Sequence, residues 1–284
     1  MSNFKNIFIN ANQLKKIIEE EDNLMIFDAS FFLPNTGISA EKEYNKEHIK
    51  NSIFFDIDLI SDPNDELPHM FPSKEVFTDH MQKLGLNNND NVIIYDNSPL
   101  LSSARCWFML RYFGHEKIRI LEGGTNKWKA IGGKTSNKAK PKQKGNFVAR
   151  EKNNDLIAKI DEVSAISNSQ SIKILDARSY ERFSGKGKEP RPGLKSGHIP
   201  NSFNLPANQL INAPGHLKNN NQLKKIISQF KIVKNEKFIA TCGSGVSACV
   251  IALAFYCSMD NQKVSIYDGS WTEWATKGYP IDKT

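Results

Sequence analysis

The chain has 284 residues, 39% hydrophobic and 24% charged, with a net charge of +7. That length holds one large domain or two of ordinary size, and the balance suits a globular protein rather than a disordered one. The positive excess is mostly lysine scattered through loops, with no aromatic-interleaved basic stripe, which argues against nucleic acid as a partner.

The start, MSNFKNIFINANQLKKIIEEEDN, has no apolar signal core and soon turns acidic, so neither a secretory nor an Arg-rich transit segment is expected. No apolar run reaches the length that spans a bilayer, and no membrane partner is expected. An amphipathic helix is expected from Ala11 to Glu20, followed by a buried strand, Leu24-Met25-Ile26-Phe27, that ends in Asp28-Ala29. A loop closes on His48-Ile49-Lys50-Asn51-Ser52, followed by a short strand at 53–55 and a polar helix at 73–84. Val92-Ile93-Ile94-Tyr95-Asp96 reads as a buried strand, and Gly123-Gly124 with Trp128 as a Gly-rich turn and core aromatic. Residues 134–155 are rich in Lys, Asn, Gln and Gly without an apolar period, which reads as a solvated linker.

The series then recurs. A helix at 161–167 precedes Ile172-Lys173-Ile174-Leu175-Asp176-Ala177, and His198-Ile199-Pro200-Asn201-Ser202 precedes a strand at 203–205 and a helix at 221–230. Phe238-Ile239-Ala240-Thr241-Cys242 answers the strand ending at Asp96, and Gly269-Ser270-Trp271 with Trp274 answers the Gly-rich turn. The matched pairs stand 146 to 150 residues apart in one order, which implies two copies of one domain. The expected organisation is a first domain at 1–140, a linker at 141–155 and a second domain at 156–284. Short buried strands alternating with helices predict an α/β fold, each domain a mainly parallel sheet flanked by helices. Ligands of such sheets bind beyond the carboxyl ends of the strands.

Cys242 stands at such an end. It opens Cys242-Gly243-Ser244-Gly245-Val246-Ser247, a Gly-rich loop that leads into an apolar helix from Ala248. Glycines let the backbone curl and aim its N–H groups inward, and the helix dipole adds to the pull on an anion. A thiolate is such an anion, so Cys242 is a candidate nucleophile. Asp96 is its counterpart in the first copy and cannot do the same chemistry. The other cysteines, Cys106, Cys249 and Cys257, fall on apolar helix patterns and read as buried. No CxxC pair or Cys/His ligand spacing is present, so no metal or other cofactor is expected. Free thiols of this kind point to a reducing, cytoplasmic compartment. A Cys-x5-Arg phosphatase would need arginine where the chain has Ala248, and a P-loop would need a lysine that this loop lacks.

The motifs DASFFLP (28–34), FFDIDLISD (54–62), LPHMFP (67–72), DARSYERFSG (176–185), EPRPGLKSGHIPNSFNLP (189–206), CGSGVSA (242–248) and YDGSWTEW (267–274) cover nearly the whole chain. In them the chain resembles the two-domain sulfurtransferases of the rhodanese superfamily. The resemblance implies two tandem rhodanese-like domains, the first catalytically silent. It implies that Cys242 carries sulfur as a persulfide, taken from 3-mercaptopyruvate and passed to cyanide or to a thiol acceptor such as thioredoxin. Members that prefer thiosulfate carry basic residues after the cysteine, whereas Gly243, Ser244 and Gly245 are uncharged; the one departure is Ser247, where the family usually has threonine. Thiosulfate:cyanide transfer, or a non-catalytic binding module, is the alternative. The resemblance further assigns a relay of Ser244, His69 and Asp58, the last two from the first domain. It gives a carboxylate clamp of Arg182 and Arg191, with Gly243, Gly245, Val246 and Ser247 lining the substrate. Lys186 and Lys188 read as solvated, Arg178 as a structural ion pair, and the twin His48 and His198 as packing residues.

Overall fold

The computed structural model describes residues 4–140, 143–150, 154–259 and 263–284. The first half builds one sheet from β1 (Phe8–Ile9), β2 (Leu24–Asp28), β3 (Ile53–Phe54), β4 (Asn91–Tyr95) and β5 (Ile118–Leu121), in the order β1-β5-β4-β2-β3. The second half builds another from β6 (Ile157–Ala158), β7 (Ile174–Asp176), β8 (Phe203–Asn204), β9 (Phe238–Thr241) and β10 (Val264–Tyr267), in the order β6-β10-β9-β7-β8. The two orders are the same topology, and every neighbouring pair in both sheets is parallel. The central strands β4 and β9 carry unbroken apolar runs, Val92 to Ile94 and Phe238 to Ala240, that are buried throughout, as in strands covered on both faces.

Each central strand feeds a helix: β4 leads to α1 (Ser103–Tyr112) and β9 to α2 (Ala248–Met259). The α2 sequence, ACVIALAFYCSM, has no charge and is buried almost all round. It packs against α1, so the two halves meet helix to helix. There the Arg111 guanidinium lies 4.9 Å from the Trp107 ring and 4.2 Å from Tyr256. One apolar core runs through both halves as a result. All four tryptophans are buried.

The repeated His-Ile-x-Asn-Ser turns have one construction. Asn51 (φ 70°) and Asn201 (φ 60°) take the left-handed region that asparagine tolerates. His48 Nδ1 bonds the Tyr44 carbonyl at 2.8 Å and its ring stacks on Tyr44. His198 does the same with the Phe183 carbonyl, at 2.8 Å, and the Phe183 ring. Both histidines are packing residues.

Three features depart from the sequence reading. The helix expected at 221–230 is an α-helix from Asn220 to Ile227, capped by the Asn219 side chain, with a 3-10 turn at Ser228–Phe230. A small antiparallel ribbon, Ile211–Ala213 with His216–Leu217, reaches the first half, where Gly215 O accepts from Gly123 N at 3.1 Å. The solvated linker is the third correction. Thr135–Ser136 pairs as a strand with His48–Ile49. Gly145 N donates to Gln82 O, Phe147 N to Leu86 O and Arg150 N to Phe113 O, and the Phe147 ring is buried. The segment is strapped to the first half because its backbone finds acceptors there, which a polar composition does not reveal. Positions 141–142 and 151–153 of the expected linker lie outside the described residues.

Candidate functional site

Cys242 follows β9 directly, at the carboxyl edge of the second sheet. The loop it opens is held by its carbonyls. Cys242 O accepts from Trp271 N at 3.0 Å, and Gly243 O from Thr272 N at 3.0 Å and Thr272 Oγ1 at 2.6 Å. Two of the loop's N–H groups are bound by the same Gly269–Thr272 turn: Ser270 Oγ accepts from Cys242 N (3.3 Å) and Gly245 N (3.1 Å) while donating to Tyr267 O. The N–H groups of Gly243, Ser244, Val246, Ser247 and Ala248 have no protein acceptor among the described residues. Free main-chain donors beside a sulfur are the elements of an anion cradle.

The loop lies largely out of solvent. Cys242 is 2% exposed, and Gly243 and Ser247 are the half-exposed members. The Val246 side chain belongs to the core, so only its main chain is available to a ligand. Gly245 has φ 77°, and a Cβ there would lie 3.0 Å from Arg105 Nη1 and 3.2 Å from Asp268 O. The positive φ and these close neighbours make any side chain at the position strained, which is why it is glycine.

The first half reaches over this loop. His69 Nδ1 meets Ser244 Oγ at 2.8 Å, and His69 Nε2 meets Asp58 Oδ1 at 2.6 Å. Ser244, His69 and Asp58 therefore form one hydrogen-bonded line across the junction. The His69 side chain is 2% exposed and that of Asp58 73%, so the line runs from the loop out to solvent. Burial pushes the His69 imidazole below its ordinary value, the Asp58 bond opposing and the charges of Arg105 and Arg191 adding to the depression. The His69 bond holds the Asp58 carboxyl below its ordinary value. An ionised Asp58 only accepts, so Nε2 carries the hydrogen and Nδ1 of the neutral ring accepts from the Ser244 hydroxyl. Ser244 Oγ in turn accepts from Arg191 Nη2 at 3.3 Å.

His69 sits at φ 64°, a costly conformation for a residue with a side chain. The composition of LPHMFP does not show what holds it there. Arg105 of α1, 1% exposed, donates through Nη2 to His69 O and through Nη1 to Gly245 O at 3.3 Å. Its guanidinium lies 4.0 Å from the Phe71 ring and pairs with Asp268 Oδ1 at 3.6 Å. Asp268 Oδ2 accepts from Phe71 N at 2.6 Å. Burial lifts the Asp268 carboxyl to about 6, Arg105 opposing. One guanidinium thus binds the backbones of the relay and of the cysteine loop together. Sequence reasoning missed Arg105, although a lone arginine inside the apolar run SARCWFMLRY was the available signal.

The two expected arginines converge on the loop from the 176–191 segment. A Cβ on Gly243 would lie 2.9 Å from Arg182 Nη2 and 4.0 Å from Arg191 Nη1. Arg182 is oriented by Glu189, with Nη2 at 2.6 Å and Nε at 3.2 Å from its carboxylate. Glu189 also binds Arg178 Nη1 at 2.9 Å, and Arg178 forks onto Asp176 with Nη2 at 2.6 Å. Arg178 is a buried structural ion pair, as its place after a strand suggests, and Lys186 and Lys188 are exposed. Cys106, Cys249 and Cys257 are buried free thiols, and burial pushes the Cys249 thiol up to about 12. Among the described residues no helix is long and apolar enough to cross a membrane.

This arrangement has known counterparts. The rhodanese-like domain model matches residues 10–131 and 159–277. The chain is 36% identical to the 3-mercaptopyruvate sulfurtransferase of Escherichia coli strain K12, over 95% of both chains. It is 37% identical to the mitochondrial thiosulfate/3-mercaptopyruvate sulfurtransferase 1 of Arabidopsis thaliana, over 90% of this chain and 73% of that one. Among solved structures, SseA from Escherichia coli, reported among 3-mercaptopyruvate sulfotransferases of "Rhodanese" fold, superposes with a TM-score of 0.83 at 35% identity, over 93% of this chain and 98% of that one.

Proposed function

The chain belongs to the rhodanese family, in tandem form, and on that premise we propose that it is a 3-mercaptopyruvate sulfurtransferase working through a persulfide on Cys242. The observation that carries the reading is the Asp58–His69–Ser244 line ending in the loop that Cys242 opens. A dianion such as thiosulfate needs no proton moved at carbon, whereas mercaptopyruvate does.

Cys242 as thiolate attacks the substrate sulfur. The S–S bond forms as the C–S bond breaks, and the electron pair leaves on the enolate of pyruvate. The proton of the substrate thiol must reach the enolate carbon. Neutral His69, with its Nδ1 on the Ser244 hydroxyl, takes that proton through Ser244 and returns it the same way. Asp58 steadies the imidazolium in between. The products are the Cys242 persulfide anion and pyruvate. The free loop N–H groups stabilise the sulfur anion at both stages. Arg182 and Arg191 clamp the substrate carboxylate, and Gly243, Gly245, Val246 and Ser247 wall the reacting end. A thiol, such as that of a thioredoxin, or cyanide then removes the outer sulfur. Donor and acceptor never meet, so the kinetics are ping-pong.

The first half contributes His69 and Asp58 but no nucleophile. The four free thiols fit a reducing compartment, which we take to be the cytoplasm. Thiosulfate is the second reading, because the Arabidopsis relative is named for both donors and two guanidiniums bind any small oxyanion. Side-by-side kcat/KM values for the two donors test the choice, mercaptopyruvate being expected to lead. Mass spectrometry after donor alone should show a gain of about 32 Da, one sulfur atom, on wild type but not on Cys242→Ser. No gain on wild type would sink the persulfide reading.

A further inference from the structure

The two arginines at the loop do not carry equal free charge. Arg191 offers its Nη2 to the Ser244 hydroxyl, and no carboxylate lies within ion-pair distance of it among the described residues. Arg182 is forked onto Glu189, whose side chain is 2% exposed and which also binds Arg178. Arg178 already has its own counterion in Asp176, both side chains being buried. Glu189 is therefore the counterion left for Arg182, and it binds the guanidinium that faces Gly243. From the other half, the Asp58 carboxylate is linked to the loop through His69.

Resting on the sulfurtransferase reading above, we infer that Glu189 is a specificity-determining residue, which cancels Arg182 so that the site suits a donor with one negative charge rather than two. A glutamate in this place has two separable effects. Its geometry aims Arg182, through contacts of 2.6 and 3.2 Å. Its charge weakens the attraction for every anion, and for a dianion twice as much as for a monoanion, because the interaction scales with the ligand charge. In a site this poorly solvated that difference is not screened away. The uncharged loop and Glu189 then act in the same direction. One withholds positive charge near the sulfur and the other neutralises part of what is present. Mercaptopyruvate, with a single carboxylate, loses least from this.

Two substitutions separate charge from aim. Glu189→Gln keeps the size and an accepting oxygen but removes the charge. Glu189→Asp keeps the charge but shortens the reach. The readout is the ratio of kcat/KM for thiosulfate to kcat/KM for mercaptopyruvate. Glu189→Gln should raise that ratio on the order of tenfold, whereas Glu189→Asp should lower both rates and leave the ratio within about twofold. Affinities for sulfate and acetate, followed by the fluorescence of Trp271 beside Arg178, repeat the comparison without turnover, and sulfate should gain over acetate in Glu189→Gln alone. An unchanged ratio in Glu189→Gln, or an equal rise in Glu189→Asp, overturns the inference. If wild type fails to turn over mercaptopyruvate, the underlying functional reading has failed instead, and the two failures cannot be confused.

Discussion

Asp96 and Cys242 stand at the same place in two copies of one sheet, and their loops do opposite things with the same donors. In the first half the Asp96 carboxylate fills its own loop. Oδ1 accepts from Ser98 N at 3.1 Å and Ser98 Oγ at 2.9 Å, and Oδ2 from Ser103 N, at the start of α1, at 3.1 Å. Burial lifts that carboxyl above its ordinary range, the bonds to Ser103 and Ser98 opposing. In the second half the side chain ends in one sulfur, a bond shorter than a carboxylate, and five loop N–H groups have no protein acceptor among the described residues. The Asp96 loop is a saturated anion site and the Cys242 loop an unsaturated one. On the proposed function, what separates scaffold from catalyst is whether the chain supplies its own anion.

The strongest way to break this comparison is to exchange the two residues. Cys242→Asp should abolish sulfur transfer, a loss beyond about 10⁴-fold, while thermal unfolding stays cooperative because the loop has gained the anion seen in its twin. Asp96→Cys combined with Cys242→Ser should stay inactive. A persulfide on position 96 in that double variant would show that the thiol alone makes the catalyst, with relay and clamp dispensable.

A smaller effect is expected from the relay, which only one copy has. His69→Gln should lower kcat for mercaptopyruvate roughly 10²- to 10³-fold and spare thiosulfate, whose transfer moves no proton to carbon. The pH profile gives the sign. Burial depresses the His69 imidazole and the neutral ring is the active form, so activity holds down to below pH 6.5 and is lost as pH falls through the depressed value. Asp58 raises the imidazole, so Asp58→Asn should move that acid limb further down. A limb that moves up would contradict the line as drawn. Next, Arg182→Ala and Arg191→Ala should each raise KM for mercaptopyruvate about ten- to a hundredfold, with less change in kcat. The smallest effect sharpens the loop itself: Gly245→Ala should cost about 1–2 kcal/mol in denaturant unfolding, from its positive φ and the close Arg105.

Different parts of the molecule were legible for different reasons. The duplication was open to inspection, because buried strands and Asp-Ala ends repeat at a nearly fixed interval. The pairing of Ser244 with His69 was not, since 175 positions separate them and only the family resemblance joined them before the fold did. Arg105, Asp268, Ser270 and Glu189 escaped because each acts on another residue's backbone or charge. Such roles leave no spacing pattern. The strap at 143–150 was misread for a related reason: main-chain hydrogen bonds are blind to composition.

The Arg105 guanidinium grips the carbonyls of His69 and Gly245 at once, like a rivet through two plates. Prising the plates apart would unseat the proton carrier and distort the sulfur's cradle in a single motion. The two halves of the site therefore share one register, and whatever loosens the seam costs both at once.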